Sequence, residues 1–187
     1  MVRFIITGLP RSGTTVICGS LITHPEISFY GELFNDMMGV RRNEAARLTL
    51  GAGWKIGNVS SHLLRPCEEQ ESGYQYLDKF YSLDISVKAV GFKILYDQAL
   101  KGPNSEVWRY IADHPEIRII RTQRENLLEI VCSYVRARIT RRWHIFEESI
   151  KSPRFILPAH ECESLFQRFT QTPEAFGKIE KTHQVLD

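Results

Sequence analysis

No run of apolar residues in this sequence approaches the about 18 needed to cross a bilayer, so no membrane span is expected. Net charge is scarce too: 24 Lys+Arg offset 22 Asp+Glu, leaving +2, which gives no bulk attraction to nucleic acid. Cysteine is sparse. Cys18, Cys67, Cys132 and Cys162 lie far apart without CxxC spacing, which argues against a zinc site or a disulfide framework and for free thiols in a reducing cytoplasm. The apolar stretch in MVRFIITG is too short for a secretory signal. A fourth absence is more specific. Gly8-Leu9-Pro10-Arg11-Ser12-Gly13-Thr14-Thr15 has the spacing of the nucleotide-binding loop GxxxxGK[ST], yet Thr14 stands where the lysine belongs. An ATPase or kinase without that lysine loses its grip on the β- and γ-phosphates.

What is present fits one folded domain. The 187 residues are 43% hydrophobic and 25% charged, ordinary for a globular chain with a core. Val2–Thr7 reads as a buried strand and Thr14–Thr23 as a helix ending before His24-Pro25, since the residue before proline disfavours helix. Ile27–Tyr30, Val87–Tyr96 and Ile117–Ile120 are strand candidates. Asp36–Thr49, Tyr74–Tyr81, Glu106–Asp113 and Glu125 to about Trp143 are helix candidates, the last from apolar residues at three- and four-residue steps. Gly51–Gly73 lacks a period and reads as loop. The last forty residues hold one or two helices, with Pro158 and Pro173 near their starts. This alternation predicts an α/β fold of the P-loop type, a three-layer α/β/α arrangement around a mostly parallel sheet.

The loop from Gly8 to Thr15 follows a strand and opens a helix. Two glycines let the backbone curl round an anion, and loop N–H groups with the positive helix end face its oxygens. Arg11 supplies the loop's cation, and Thr14 and Thr15 add hydroxyls. Eight arginines fall between Arg109 and Arg142, a local concentration that suits an anionic ligand or a solvated helix face. Among them, Arg124 sits just past a strand and Ser133 lies nine residues on. A guanidinium fork and a hydroxyl so placed can reach one phosphate. Lys93, on an otherwise apolar strand, marks either a site or a lysine snorkelling from a sheet edge. Aromatics at Trp54, Tyr74, Tyr76 and Tyr81 can stack on sugar rings, and core packing explains them equally.

PRSGTT after the first strand, Gly31-Glu32-Leu33-Phe34-Asn35, Gly91-Phe92-Lys93-Ile94, Arg121 to Arg124 ahead of Ser133-Tyr134, and Arg141-Arg142-Trp143-His144 together resemble the bacterial carbohydrate sulfotransferases of the nodulation-factor and trehalose type. The likeness runs in order from about residue 3 to 165. It implies transfer of a sulfuryl group from 3′-phosphoadenosine 5′-phosphosulfate (PAPS) to a hydroxyl of a carbohydrate or glycolipid. Pro10, Arg11, Ser12, Gly13, Thr14 and Thr15 would cradle the 5′-phosphosulfate, and Arg124 with Ser133 would hold the 3′-phosphate, with Arg121 a rival for the arginine. Glu32 matches the family's catalytic base, ahead of His144 and His24, with Arg11 and Lys93 in the catalytic set. No metal is expected, since one negative charge on the transferred group can be met by a protein cation and backbone donors. The resemblance also implies a closing strand and helix past Val185-Leu186-Asp187, so residues 1–187 are read as a single sulfotransferase-like domain lacking them. A homo-oligomer stays open. The competing readings are a P-loop kinase or NTPase and a degenerate, non-catalytic nucleotide-binding domain.

Overall fold

The computed structural model describes residues 1–34, 71–82, 87–141, 143, 154–170 and 176–187. The helix expected at Asp36–Thr49, most of the loop expected at Gly51–Gly73, and Trp54, Cys67 and His144 lie outside them. Five strands form one sheet: β1 (Val2–Gly8), β2 (Ile27–Glu32), β3 (Ala89–Leu95), β4 (Arg118–Thr122) and β5 (Val185–Leu186), in the order β2-β3-β1-β4-β5. Every pairing is parallel. Helices α1 (Thr14–Ile22), α2 (Gly73–Tyr81), α3 (Val107–Asp113), α4 (Leu127–Thr140), α5 (Ala159–Thr170) and α6 (Phe176–Thr182) flank it, as the α/β reading anticipated.

Strand residues alternate between the two faces. Phe4, Ile6 and Phe29 pack with Cys18 and Ile22 of α1 on one side. Ile5, Val90, Phe92, Ile94 and Ile119 pack with α2, α3 and α6 on the other. Burial on both faces explains why β1 and β3 read as nearly continuous apolar runs. Helices α4 and α5 pack on one another through Ile130, Val131, Tyr134, Leu165 and Phe169, and meet the loop after β1 at Leu9.

Local chemistry sets the helix ends. Ser72 caps α2 in a reciprocal box, its hydroxyl accepting from Gln75 N–H at 3.3 Å while Gln75 Oε1 accepts from Ser72 N–H at 3.1 Å. Asn126 caps α4 by accepting from Glu129 N–H at 3.2 Å. The stripe of α2 is core: Phe80 meets Phe92 edge-on at 5.9 Å, and Tyr81 is buried with its hydroxyl donating to the Phe4 carbonyl. Tyr76 is buried as well, and Tyr74 packs edge-on against Tyr110. Packing, rather than sugar stacking, accounts for these three tyrosines.

The Gly91 of the Gly-Phe-Lys-Ile motif has a steric reason. A Cβ there would sit 2.5 Å from the Phe4 carbonyl oxygen and 2.7 Å from the Phe4 ring. Gly91→Ala should therefore force β3 from β1 and cost about 1–3 kcal/mol, as overpacking does. Urea denaturation would show a lower midpoint; an unchanged one would mean the Phe4 ring yields freely.

Candidate functional site

The carboxyl ends of β1 and β4 form the first part of the site. β1 closes on Gly8, whose φ is 151°, and a Cβ there would lie 2.4 Å from both the carbonyl and hydroxyl oxygens of Thr122. Only glycine permits that approach. The chain then turns. Ser12 N–H and Ser12 Oγ both donate to the Leu9 carbonyl, at 3.3 and 2.6 Å, and Ser12 Oγ lies 2.6 Å from Thr122 Oγ1. Arg11 at φ 68° is strained where the loop curls, and Gly13 at φ 95° takes a conformation that glycine adopts freely. Gly13 is the N-cap of α1, with no side-chain cap hydrogen bond among the described residues and no acidic residue in its first turn. Val16 N–H donates to the Gly13 carbonyl at 3.0 Å, and the N–H groups ahead of it lie at the positive end of the helix. Pro10 and Thr14 are buried, and Ser12 and Thr15 half-buried.

Two side chains and a backbone carbonyl distant in sequence converge on this loop. Arg11 Nε donates to Ser133 Oγ at 2.9 Å, and Arg11 Nη1 donates to the Trp143 carbonyl. Arg124 Nη1 reaches the Arg11 carbonyl at 3.4 Å while Nη2 pairs with Glu129. Burial, followed by repulsion from Arg124 and Arg136, loosens the hold of Arg11 on its proton. Crowded cations of this kind are relieved by an anion. The position suits one, because the chain leaves β1 toward β2 and leaves β4 toward β5, in opposite directions across the sheet. Ligands bind at such a switch point in open α/β sheets.

Arg121, the rival of Arg124, is engaged elsewhere. It donates to Asp187 through Nε at 2.5 Å and Nη2 at 2.9 Å, and pairs with Glu180 of α6. The hydrogen bond to Asp187 raises its proton affinity, against a smaller opposing effect of burial.

The second part is an ion pair inside the sheet. Glu32 and Lys93 are register partners on β2 and β3, and the register shifts between Phe29 and Glu32. Such an irregularity re-aims the following side chain, and Gly31 takes it up at φ 59°. Lys93 Nζ lies 2.5 Å from Glu32 Oε1, with the two residues only 4% and 6% exposed. Lys93 does not snorkel, because β3 is an interior strand between β2 and β1. Gln98, just past β3, donates from Nε2 to Glu32 Oε2 at 2.8 Å. Cys18 of α1 shares these surroundings. Burial pushes its thiol up to about 12, with Lys93 pulling down and Glu32 pushing up, so it is no nucleophile. His24 is exposed and accepts from Glu26 N–H, within its own turn.

The sequence reading named Arg11, Glu32, Lys93, Arg124 and Ser133 and missed Gln98, Thr122 and the carbonyl of Trp143. The only trace of Gln98 was a polar pair, Asp97-Gln98, directly after an apolar strand. Among the described residues no three His, Cys, Asp or Glu side chains gather as a metal site, and no helix is long and apolar enough to cross a membrane.

The chain is similar to Nodulation protein H of Rhizobium meliloti (strain 1021). The two are 28% identical over 166 residues, which is 88% of this chain and 60% of that relative. This chain thus aligns with less than two thirds of that relative's length. No family model matches the sequence.

The Arg121 contact yields a pH test. Asp187 has its carboxyl pulled below the ordinary value by the Arg121 hydrogen bond. A depressed folded-state value stabilises above the unfolded one, about pH 4, and that contribution is lost as pH falls through the lowered value. Asp187→Asn should lower the thermal midpoint slightly at neutral pH, because the pair is exposed and screened. The difference from wild type should close as acidification protonates the Asp187 carboxylate, below its ordinary range. A gap that persists there would exclude the ion pair as its cause.

Proposed function

We propose that the chain transfers a sulfuryl group from PAPS to a hydroxyl of a carbohydrate or glycolipid acceptor. The observation that carries this reading is the meeting of Arg11, Arg124 and Ser133 at the mouth of the Gly8–Thr15 loop. A single phosphate needs only the loop. An additional arginine and serine, brought from the far side of β4, suit a ligand with a second phosphate. The similarity to Nodulation protein H and the sulfotransferase-like motifs point the same way, to sulfuryl transfer.

The residues present fit PAPS in charge and donor type. The Ser12–Thr15 segment and the start of α1 would hold the 5′-phosphosulfate, and Arg124 with Ser133 the 3′-phosphate. Bound PAPS supplies the sulfuryl group, whose bond to the 5′-phosphate oxygen breaks as the acceptor oxygen bonds to sulfur. Glu32 takes the proton of the acceptor hydroxyl. Arg11 offsets negative charge gathering on the departing oxygen, as fixed cations do in phosphoryl transfer. Lys93 holds Glu32 by the 2.5 Å ion pair. Thr14 in place of the loop lysine disfavours the NTPase alternative.

Thermal shift tests the donor. Adenosine 3′,5′-diphosphate should raise the melting temperature in EDTA, and ATP with magnesium should do no better. No shift at millimolar diphosphate would remove the reading. Arg124→Ala should weaken that binding about 10- to 100-fold, the worth of a lost charged hydrogen bond, while Arg121→Ala should leave it near wild type. Equal losses would mean that Arg124 has no special role.

Labelled PAPS offered with a panel of mono-, di- and oligosaccharides tests the transfer itself. Glu32→Gln should lower kcat about 10²- to 10⁴-fold with diphosphate binding kept. Full activity in that variant would exclude Glu32 as the base.

A further inference from the structure

Gln98 makes four hydrogen bonds, more than a surface glutamine after a strand has reason to make. Its N–H donates to the Leu95 carbonyl at 3.0 Å, closing a turn, and its carbonyl accepts from the Trp108 indole at 2.9 Å. Its side-chain Oε1 accepts from Leu95 N–H at 3.0 Å, and Nε2 donates to Glu32 Oε2 at 2.8 Å. The residue is 5% exposed. The next one, Ala99, is fully buried with φ 56°. An alanine in the left-handed region costs about 1–2 kcal/mol, and such strain persists only where the surroundings over-determine it.

The amide's orientation is forced. A backbone N–H can only donate, so the atom facing Leu95 N–H must be the amide oxygen, and the NH₂ must face Glu32. Lys93 takes the other carboxylate oxygen at 2.5 Å. Two donors on two different oxygens fix the rotation of the carboxylate plane, where a lysine alone would let it turn. Among the described residues, titratable groups that face Glu32 include Lys93 from β3 and the protonated thiol of Cys18 from α1.

We propose that Gln98 is a positioning residue for Glu32, holding its carboxylate in the orientation that receives the acceptor's proton through a turn anchored by Leu95 and Trp108. This rests on the reading of Glu32 as the base. Gln98 itself touches neither donor nor acceptor in this scheme; it acts through the carboxylate.

The titration reads Glu32 directly and needs no acceptor. In protein labelled with ¹³C-glutamate, the Glu32 carboxyl signal, assigned by its loss in Glu32→Gln, is followed through a pH titration. Gln98→Met keeps the bulk and removes the donor, so the Glu32 midpoint should rise by about one pH unit, a tenfold gain in proton affinity. Gln98→Glu keeps an acceptor for Leu95 N–H and sets a like charge against Glu32, so the midpoint should rise further. A purely structural glutamine would lower the melting temperature and leave the midpoint in place. An unmoved midpoint in either folded variant overturns the proposal. Transfer from labelled PAPS by Glu32→Gln separates the two readings. Undiminished transfer there sinks the base assignment, whereas an inactive Glu32→Gln with a wild-type titration in Gln98→Met sinks the Gln98 role alone.

Discussion

The contact of Gly8 with Thr122 sets where the candidate site of this protein lies. The two strand ends come so close that a Cβ on residue 8 would overlap Thr122 at 2.4 Å. Because they do, the loop leaving β1 and the segment leaving β4 share one mouth. Arg124 follows Thr122 by two residues and reaches the carbonyl of Arg11, 113 residues earlier. Ser133, one turn into the next helix and beyond, reaches Arg11 across 122 residues. The mouth therefore gathers guanidinium groups and the positive end of α1 without a carboxylate on the loop itself. Such a cluster works against stability through like-charge repulsion. Sites that bind ligands commonly hold strain and charge of this kind, which the rest of the fold sustains.

The fold was largely legible because its signals are local. A strand-loop-helix with two glycines, apolar runs for buried parallel strands, and a three-and-four spacing over α4 each need only a window of neighbours. The core role of Tyr76 and Tyr81 was legible only as one of two options, since an aromatic stripe looks alike whether it meets a sugar or Phe92. Ends were less certain: Glu125 to about Trp143 was the expected span, and α4 occupies Leu127–Thr140, cut short at Arg141, whose φ is 55°.

The site was legible in its residue types and illegible in its pairings. Sequence does not fix the register of β2 on β3, and the Glu32–Lys93 pair exists only through that register and its shift after Phe29. Arg121 and Arg124 looked interchangeable three residues apart. Alternation separates them: Ile117 and Ile119 belong to the core on the α2, α3 and α6 side, so Arg121 continues that row toward Glu180. Arg124 has left the strand and is free of the alternation. The sequence held this distinction, yet using it required knowing which face carried which helices.

The buried Glu32–Lys93 pair poses a different question from the exposed arginines. Burying two charges costs several kcal/mol per ion, and replacement by well-packed apolar residues is often neutral or stabilising. Val or Leu at both positions would continue the apolar pattern of β2 and β3 with less electrostatic risk. Stability thus gives little reason for the pair, and still less for adding Gln98 on the second oxygen at the expense of a left-handed Ala99. A buried carboxylate with both oxygens held is, by contrast, what a proton acceptor of fixed orientation requires, since misdirection of its lone pairs would waste the contact with a hydroxyl. On the proposed reading of Glu32 as the base, chemistry rather than packing accounts for this polar cluster in the sheet.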